Sequence, residues 1–153
     1  MASASSPPQH TSILALAPKT ENSAVLPDSD IAYLNEREIG FELATEANMT
    51  CVIIPAWQLP QGYNHSQADL LLRLSAGYPD IPPDMWWFDP AISLVTGQAV
   101  QATELIEPYL GRTWQRWSRH FVPGQWQSGI DGLESYFALI RAELRRCLPE
   151  PAQ

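Results

Sequence analysis

Apolar positions along the chain follow two rhythms, and the changes between them divide it into elements. In "LPDSDIAYLNEREIG", Ile31 and Leu34 recur at helical spacing behind Pro27 and the cap residues Asp28 and Ser29, and Gly40 closes the run. A short N-terminal helix is predicted there. From Phe41 the rhythm shortens: "FELATEA" alternates apolar and polar residues, "TCVIIPAW" is rich in β-branched residues, and the turn-like "EANM" separates them. These segments predict an antiparallel hairpin. "LPQGYN" interrupts the pattern, and "ADLLLRL" supplies a third strand whose nearly continuous apolar character predicts burial on both faces. In "SAGYPDIPPD" each proline removes a backbone donor and fixes φ, so this segment is a stiff connection. "MWWF" makes a fourth strand, ended by Asp89-Pro90.

In the second half, "SLVTGQAVQATELIEPYLG" follows neither rhythm and predicts no element. Around "RTWQRWSRHF", Leu110, Trp114, Trp117 and Phe121 are spaced by four, three and four, which favours a helix over a strand. "SGIDGLESYFALIRAELRRCL" predicts a helix over residues 131–147. It opens on Ser128-x-x-Asp131, a capping box with Asp for the usual Glu or Gln, and carries an apolar stripe at Leu133, Tyr136, Phe137, Ile140 and Leu144. Arg145 and Arg146 sit at its negative dipole end. No internal repeat occurs. The fold class is therefore α+β: an N-terminal helix, a four-stranded antiparallel meander and a C-terminal helix, with the helices on one face of the sheet.

Composition sharpens this picture in three ways. A chain of 153 residues, 45% hydrophobic with six Trp, supports one domain around one core. Residues 1–25 are rich in Ser, Ala and Pro without a sustained period and predict a loose arm, in which "ILALA" is an isolated apolar patch. The domain is expected over residues 26–148, with a short tail at 149–153. The net charge of −8 argues against nucleic acid and anionic membrane as partners, and points to proteins. The two cysteines, Cys51 and Cys147, provide neither a metal spacing nor a disulfide framework. No secretory leader or membrane-spanning run is evident, so a reduced, cytoplasmic protein is expected, and nothing in the sequence implies a cofactor.

The element order, "YPDIPP" after the third strand, an x-Pro step closing the fourth, and a later Trp126 before the final helix together resemble the ubiquitin-conjugating enzyme (UBC) fold. More closely, "GYNHSQADLLLRLSAGYPDIPPDMWWFDP" followed by "GRTWQRWSRH" resembles the prokaryotic UBC-like family E, found in bacterial ubiquitin-like conjugation operons. The resemblance covers about residues 28–146. It implies action with an adenylating activating enzyme, a ubiquitin-like protein and a protein target. One departure stands out: Asp89-Pro90-Ala91 replaces the histidine, proline and asparagine of UBC enzymes, and no cysteine occurs from residue 52 to residue 146.

Neither cysteine reads as a nucleophile. Cys51 falls in an apolar strand and Cys147 at a helix C-terminus, where thiolate is disfavoured. Counting back from Trp126 by the family spacing lands on Ser118, whereas counting forward from Pro90 lands near Ala99 or Val100. The first count points to an oxyester on Ser118, with His120 or His65 as base and Arg119 or backbone amides stabilising the oxyanion. Antiparallel third and fourth strands are expected to bring Tyr63, His65 and Asp89 to one rim of the sheet. If "RTWQRWSRHF" is helical, Arg112, Arg116 and Arg119 share one face opposite Trp114 and Trp117, a basic island able to grip an acidic partner. The alternatives are a surface or cap role for Ser118, a structural His120, and arginine stems packed on indole rings. Asp80, Asp84 and Glu107 read as solvated turn charges. Three function classes stay open: a conjugating enzyme using a noncanonical residue, a catalytically inactive UBC-like adaptor, and a binder of single-stranded nucleic acid, against which the net charge counts.

Overall fold

In the computed structural model the described residues are 25–150; all but the last residue of the arm expected over residues 1–25, and the last three residues of the tail, lie outside them. The described elements are α1 (Asp28–Glu36), β1 (Glu42–Glu46), β2 (Met49–Gln58), β3 (Gln67–Leu74), β4 (Met85–Asp89), β5 (Ile106–Tyr109), β6 (Arg112–Ser118) and α2 (Leu133–Arg146). All strand pairs are antiparallel, in the order β1-β2-β3-β4-β6-β5. The α+β class and the meander β1 to β4 match the sequence reading. The sheet, however, has six strands among the described residues rather than four.

The two additional strands correct a specific expectation. "RTWQRWS", expected as helix, is β6, and part of the unassigned stretch, "IEPY", is its hairpin partner β5. The physical reason is that β6 lies between β4 and β5 and is buried on both faces. Trp114 packs with Cys51, Ile53, Leu71 and Trp87 on one side of the sheet. Trp117 packs on the other, against Trp86 with ring centroids 6.2 Å apart and planes 21° from parallel. Residues three apart point to opposite faces of a strand but share one face of a helix. When both faces are apolar, large residues spaced four-three-four fit either geometry. The same double-sided burial was legible in β3, where Leu70, Leu71 and Leu72 are all fully buried.

Both helices cover one face. Leu34 of α1 and the expected stripe of α2, Leu133, Tyr136, Phe137, Ile140 and Leu144, join the cluster formed by Val52, Leu70, Leu72 and Phe88 from the sheet. Each such fully buried side chain contributes about 1.5–3 kcal/mol by leaving water. The opposite face carries the smaller cluster around Trp87 and Trp114, shielded in part by Arg73, whose guanidinium lies 3.8 Å from the centre of the Tyr109 ring.

The start of α2 also differs from expectation. Its N-cap is Gly132, and the orphan N–H of Leu133 donates to Asp30 Oδ1 of α1 at 2.9 Å, while Tyr78 Oη donates to Asp30 Oδ2 at 2.7 Å. One buried carboxylate thus joins α1, α2 and the proline-rich connection. A Cβ at residue 132 would lie 2.7 Å from Asp30 Oδ1, so glycine is required for this approach. Asp131 instead accepts from the Gln127 N–H at 2.6 Å, and Ser128 hydrogen-bonds Asp80, so the expected capping box does not form. Trp126 Nε1 donates to Pro79 O at 2.8 Å and secures the rest of the connection, whose Tyr78-Pro79 bond is cis, as is Asp89-Pro90.

Candidate functional site

The β4 to β6 register decides which expected site residues meet. Met85 pairs with Ser118 and Phe88 with Gln115, so Ser118 lies at the start of β4. The His65 segment lies past the other end, where Asn64 N–H donates to Ser93 O at 2.8 Å and Ser93 N–H to Asn64 Oδ1 at 2.9 Å. Met85 and Asp89 bound β4, and at ~3.3 Å per residue its two ends stand roughly 13 Å apart. The structure therefore does not bring His65 to Ser118. Tyr63 is buried and donates its hydroxyl to Leu144 O at 2.6 Å, a strut beneath α2 whose hydroxyl pKa is raised by burial. Asp89 faces Asp69 across the β3 to β4 ladder, and Arg112 bridges the two, with Nε 3.0 Å from Asp89 Oδ2 and Nη2 2.9 Å from Asp69 Oδ2.

Because β6 is a strand, the expected basic face does not form. Alternation places Arg112, Trp114, Arg116 and Ser118 on one face, and Gln115, Trp117 and Arg119 on the other. Each arginine also has a carboxylate partner: Arg112 as above, Arg116 with Glu107 at 2.9 Å and Arg119 with Glu143 at 2.7 Å. Trp114 and Trp117 are both fully buried, with Arg112 stacked 4.3 Å from the Trp114 ring and Arg119 5.0 Å from Trp117. The packing alternative holds for these pairs. Glu107 is no solvated turn charge either: it accepts from Trp87 Nε1, Tyr109 Oη and Arg116 Nη1.

The sequence reading passed over Gln115. Its Oε1 accepts from the Ile92 N–H and from Trp117 Nε1, and its Nε2 donates to Ile92 O. This buried amide ties the segment after Asp89-Pro90-Ala91 to β6. A lone polar residue inside an apolar strand was the available signal.

Ser118 lines a cleft of about 410 Å³ whose other walls are residues 99–102, Arg119, Arg146 and Cys147. The two counts that disagreed in sequence, to Ser118 and to Ala99 or Val100, thus both fall on the lining of one cleft. Ser118 N–H donates to Ala102 O at 3.1 Å, and Arg119 Nη1 donates to Gln101 O at 3.1 Å. Ser118 Oγ accepts from Arg116 Nε at 3.0 Å. At the rim, Cys147 Sγ lies 3.6 Å from Glu143 Oε2 and 3.8 Å from Arg119 Nη2. Burial pushes its thiol pKa up, Glu143 adds to the rise, and Arg119 opposes it. Cys51, fully buried inside the sheet, is likewise raised by burial.

A second cavity of about 250 Å³ shares Arg119 and Arg146 with this cleft and includes Trp86, Tyr136, Phe121 and His120 among its walls. Glu143 is held between the two arginines, and hydrogen bonds from Arg146 first and then Arg119 lower its pKa to about 2. His120 Nδ1 lies 2.6 Å from Asp84 Oδ1, so Asp84 is a positioning partner and leaves Nε2 for another group. His120 stands two residues beyond Ser118, at the same end of β6.

Among the described residues no three His, Cys, Asp or Glu side chains are grouped to hold a metal, and no helix is long and apolar enough to cross a membrane. No curated protein and no solved structure matches the chain. The sequence pattern of prokaryotic E2 family E does match, from residue 26 to residue 147, spanning both helices and all six strands; the chain belongs to that family.

Proposed function

We infer that this bacterial E2-like protein receives the carboxyl terminus of a ubiquitin-like protein from an adenylating activating enzyme and passes it to a protein target. Ser118 is the acceptor. Its Oγ attacks the activated carbonyl, the carbon–oxygen ester forms as the activating group leaves, and His120, oriented by Asp84, takes the hydroxyl proton. Arg119, which lines the same cleft, supplies positive charge to the tetrahedral oxyanion in this reading. An amine of the target then displaces Ser118 from the ester. The observation that carries this reading is the convergence of Ser118 and residues 99–102 on one cleft beside Arg119.

A second reading, a catalytically inactive adaptor that binds the activating enzyme or the ubiquitin-like protein, draws support from the hydrogen bonds themselves. Ser118 Oγ is engaged by Arg116, and Arg119 by Glu143. Incubation with the activating enzyme, ATP and the ubiquitin-like protein, followed by peptide mass spectrometry, separates the readings. A base-labile, thiol-resistant adduct on Ser118 that disappears in Ser118→Ala is the expected result. A thiol-labile adduct on Cys147 moves the chemistry across the cleft, and no adduct while the ubiquitin-like protein is demonstrably activated leaves the adaptor.

A further inference from the structure

The hydroxyl of Ser118 carries a donor that sequence reasoning did not expect. Its Oγ accepts from Arg116 Nε at 3.0 Å, and alternation along β6 puts both side chains on one face of the strand. The far side of the same guanidinium is fixed, because Arg116 Nη1 donates to Glu107 Oε2 at 2.9 Å. Glu107 is held in turn: its Oε1 accepts from Trp87 Nε1 at 2.9 Å and from Tyr109 Oη at 3.1 Å. The Arg116 and Glu107 side chains are only 25% and 23% exposed. A directed N–H is thus anchored on the serine oxygen through the β5-β6 hairpin.

Glu107 compensates the charge of Arg116, so the effect at Ser118 is that of an N–H at hydrogen-bond distance and not of a surplus field. Such a donor acts unequally on the two steps of acyl transfer. While Oγ attacks, a hydrogen bond into its lone pair gives no help. In the second step the target amine adds to the ester carbonyl, and the bond from the carbonyl carbon to Oγ breaks with its electron pair passing to Oγ. The proton that the amine loses ends on that oxygen. A serine alkoxide is much more basic than a cysteine thiolate and leaves less readily. A donor already placed on Oγ strengthens as negative charge collects there, which is the condition for lowering this barrier.

We propose that Arg116 is the leaving-group donor for Ser118, positioned by Glu107, and that its Nε–H enables a serine ester to discharge to an amine. The inference rests on the reading of Ser118 as acceptor. It gives the Arg116 contact a role in catalysis, where the adaptor reading takes the same contact as a block.

In the test the full chain is loaded with the activating enzyme, ATP and the ubiquitin-like protein, and ATP is then removed. Free lysine is added, and loss of the adduct is followed by intact-mass spectrometry. The parent protein is compared with Arg116→Met and with Arg116→Met combined with Glu107→Gln, which leaves no carboxylate without its partner. Each is also made with Ser118→Cys, whose thiolate needs no donor to leave. Lysine-driven loss of the ester should slow by about tenfold or more in both variants. Loss of the thioester should slow by no more than about twofold. Equal slowing of ester and thioester marks a role in the fold alone and overturns the proposal, as does ester loss at the parent rate or faster. Variants that load the cysteine but not the serine place Arg116 in ester formation and overturn the leaving-group assignment. No Ser118 adduct in the parent overturns the acceptor reading and this inference with it, whereas an adduct that discharges independently of Arg116 overturns the inference alone.

Discussion

Two arginine and carboxylate clusters stand at opposite ends of β6, and their compositions are mirror images. At the start of the strand one arginine, Arg112, lies between two carboxylates, Asp69 and Asp89. Past its end one carboxylate, Glu143, lies between two arginines, Arg119 and Arg146. The first is a clamp. Arg112 joins β6 to β3 and β4, Asp69 Oδ1 also accepts from the Ala56 N–H at the β2 bulge, and the summed charge is negative. The second borders two cavities, holds two arginines to one carboxylate and, among the described residues, leaves Arg146 Nη1 without a partner. Partner chemistry is therefore expected at the second cluster, while the first holds strands in register.

Substitutions divide these roles, and the largest effect sets the scale from outside both clusters. Asp30→Ala removes the buried acceptor for the Leu133 N–H and for the Tyr78 hydroxyl. It should cost about 2–3 kcal/mol, read as a lower urea midpoint. An unchanged midpoint would mean that water replaces the carboxylate.

Arg112→Met comes next. The pairs at this clamp are about one-third exposed, which places the loss between that of a surface and a buried pair, about 1–2 kcal/mol. Adduct formation on Ser118 at the other end of β6 should be unaffected. Reduced adduct formation in a variant that is still folded would join the two ends and break the comparison.

The acid limb of stability then probes Glu143. Its folded pKa, about 2, lies below its ordinary value of 4.5. The unfolded chain therefore binds the proton more readily, so this contribution is fully present above about pH 4.5 and lost as pH falls toward 2. The stability difference between the parent protein and Glu143→Gln should be constant near neutrality and shrink between pH 4.5 and 2. A difference that persists undiminished at the acid end would show that packing, not charge, holds the second cluster.

The smallest effect is expected for Arg37→Gln. Arg37 pairs with Glu134 at 3.3 Å, but both side chains are mostly exposed. The midpoint should move by no more than about 0.5 kcal/mol, and less at high salt. A larger loss would assign this surface pair a structural role that its exposure does not suggest.

What the sequence determined by itself were the elements governed by local rules. The stripe of α2 is periodic, β1 alternates, β3 is continuously apolar, and the prolines between Tyr78 and Pro83 stiffen one connection; all four are properties of neighbouring residues. The motifs on those elements were enough to suggest the family. Only the tertiary structure decided β6, because a strand buried on both faces loses its period of two, and Trp114 and Trp117 then satisfy helical spacing equally well. The site followed the same rule. A single error of element type placed three arginines on one face, while long-range register put His65 and Ser118 at opposite ends of β4 and gave Asp84 to His120. Pairing between residues distant in sequence depends on how strands align, and no window of neighbouring residues encodes that alignment.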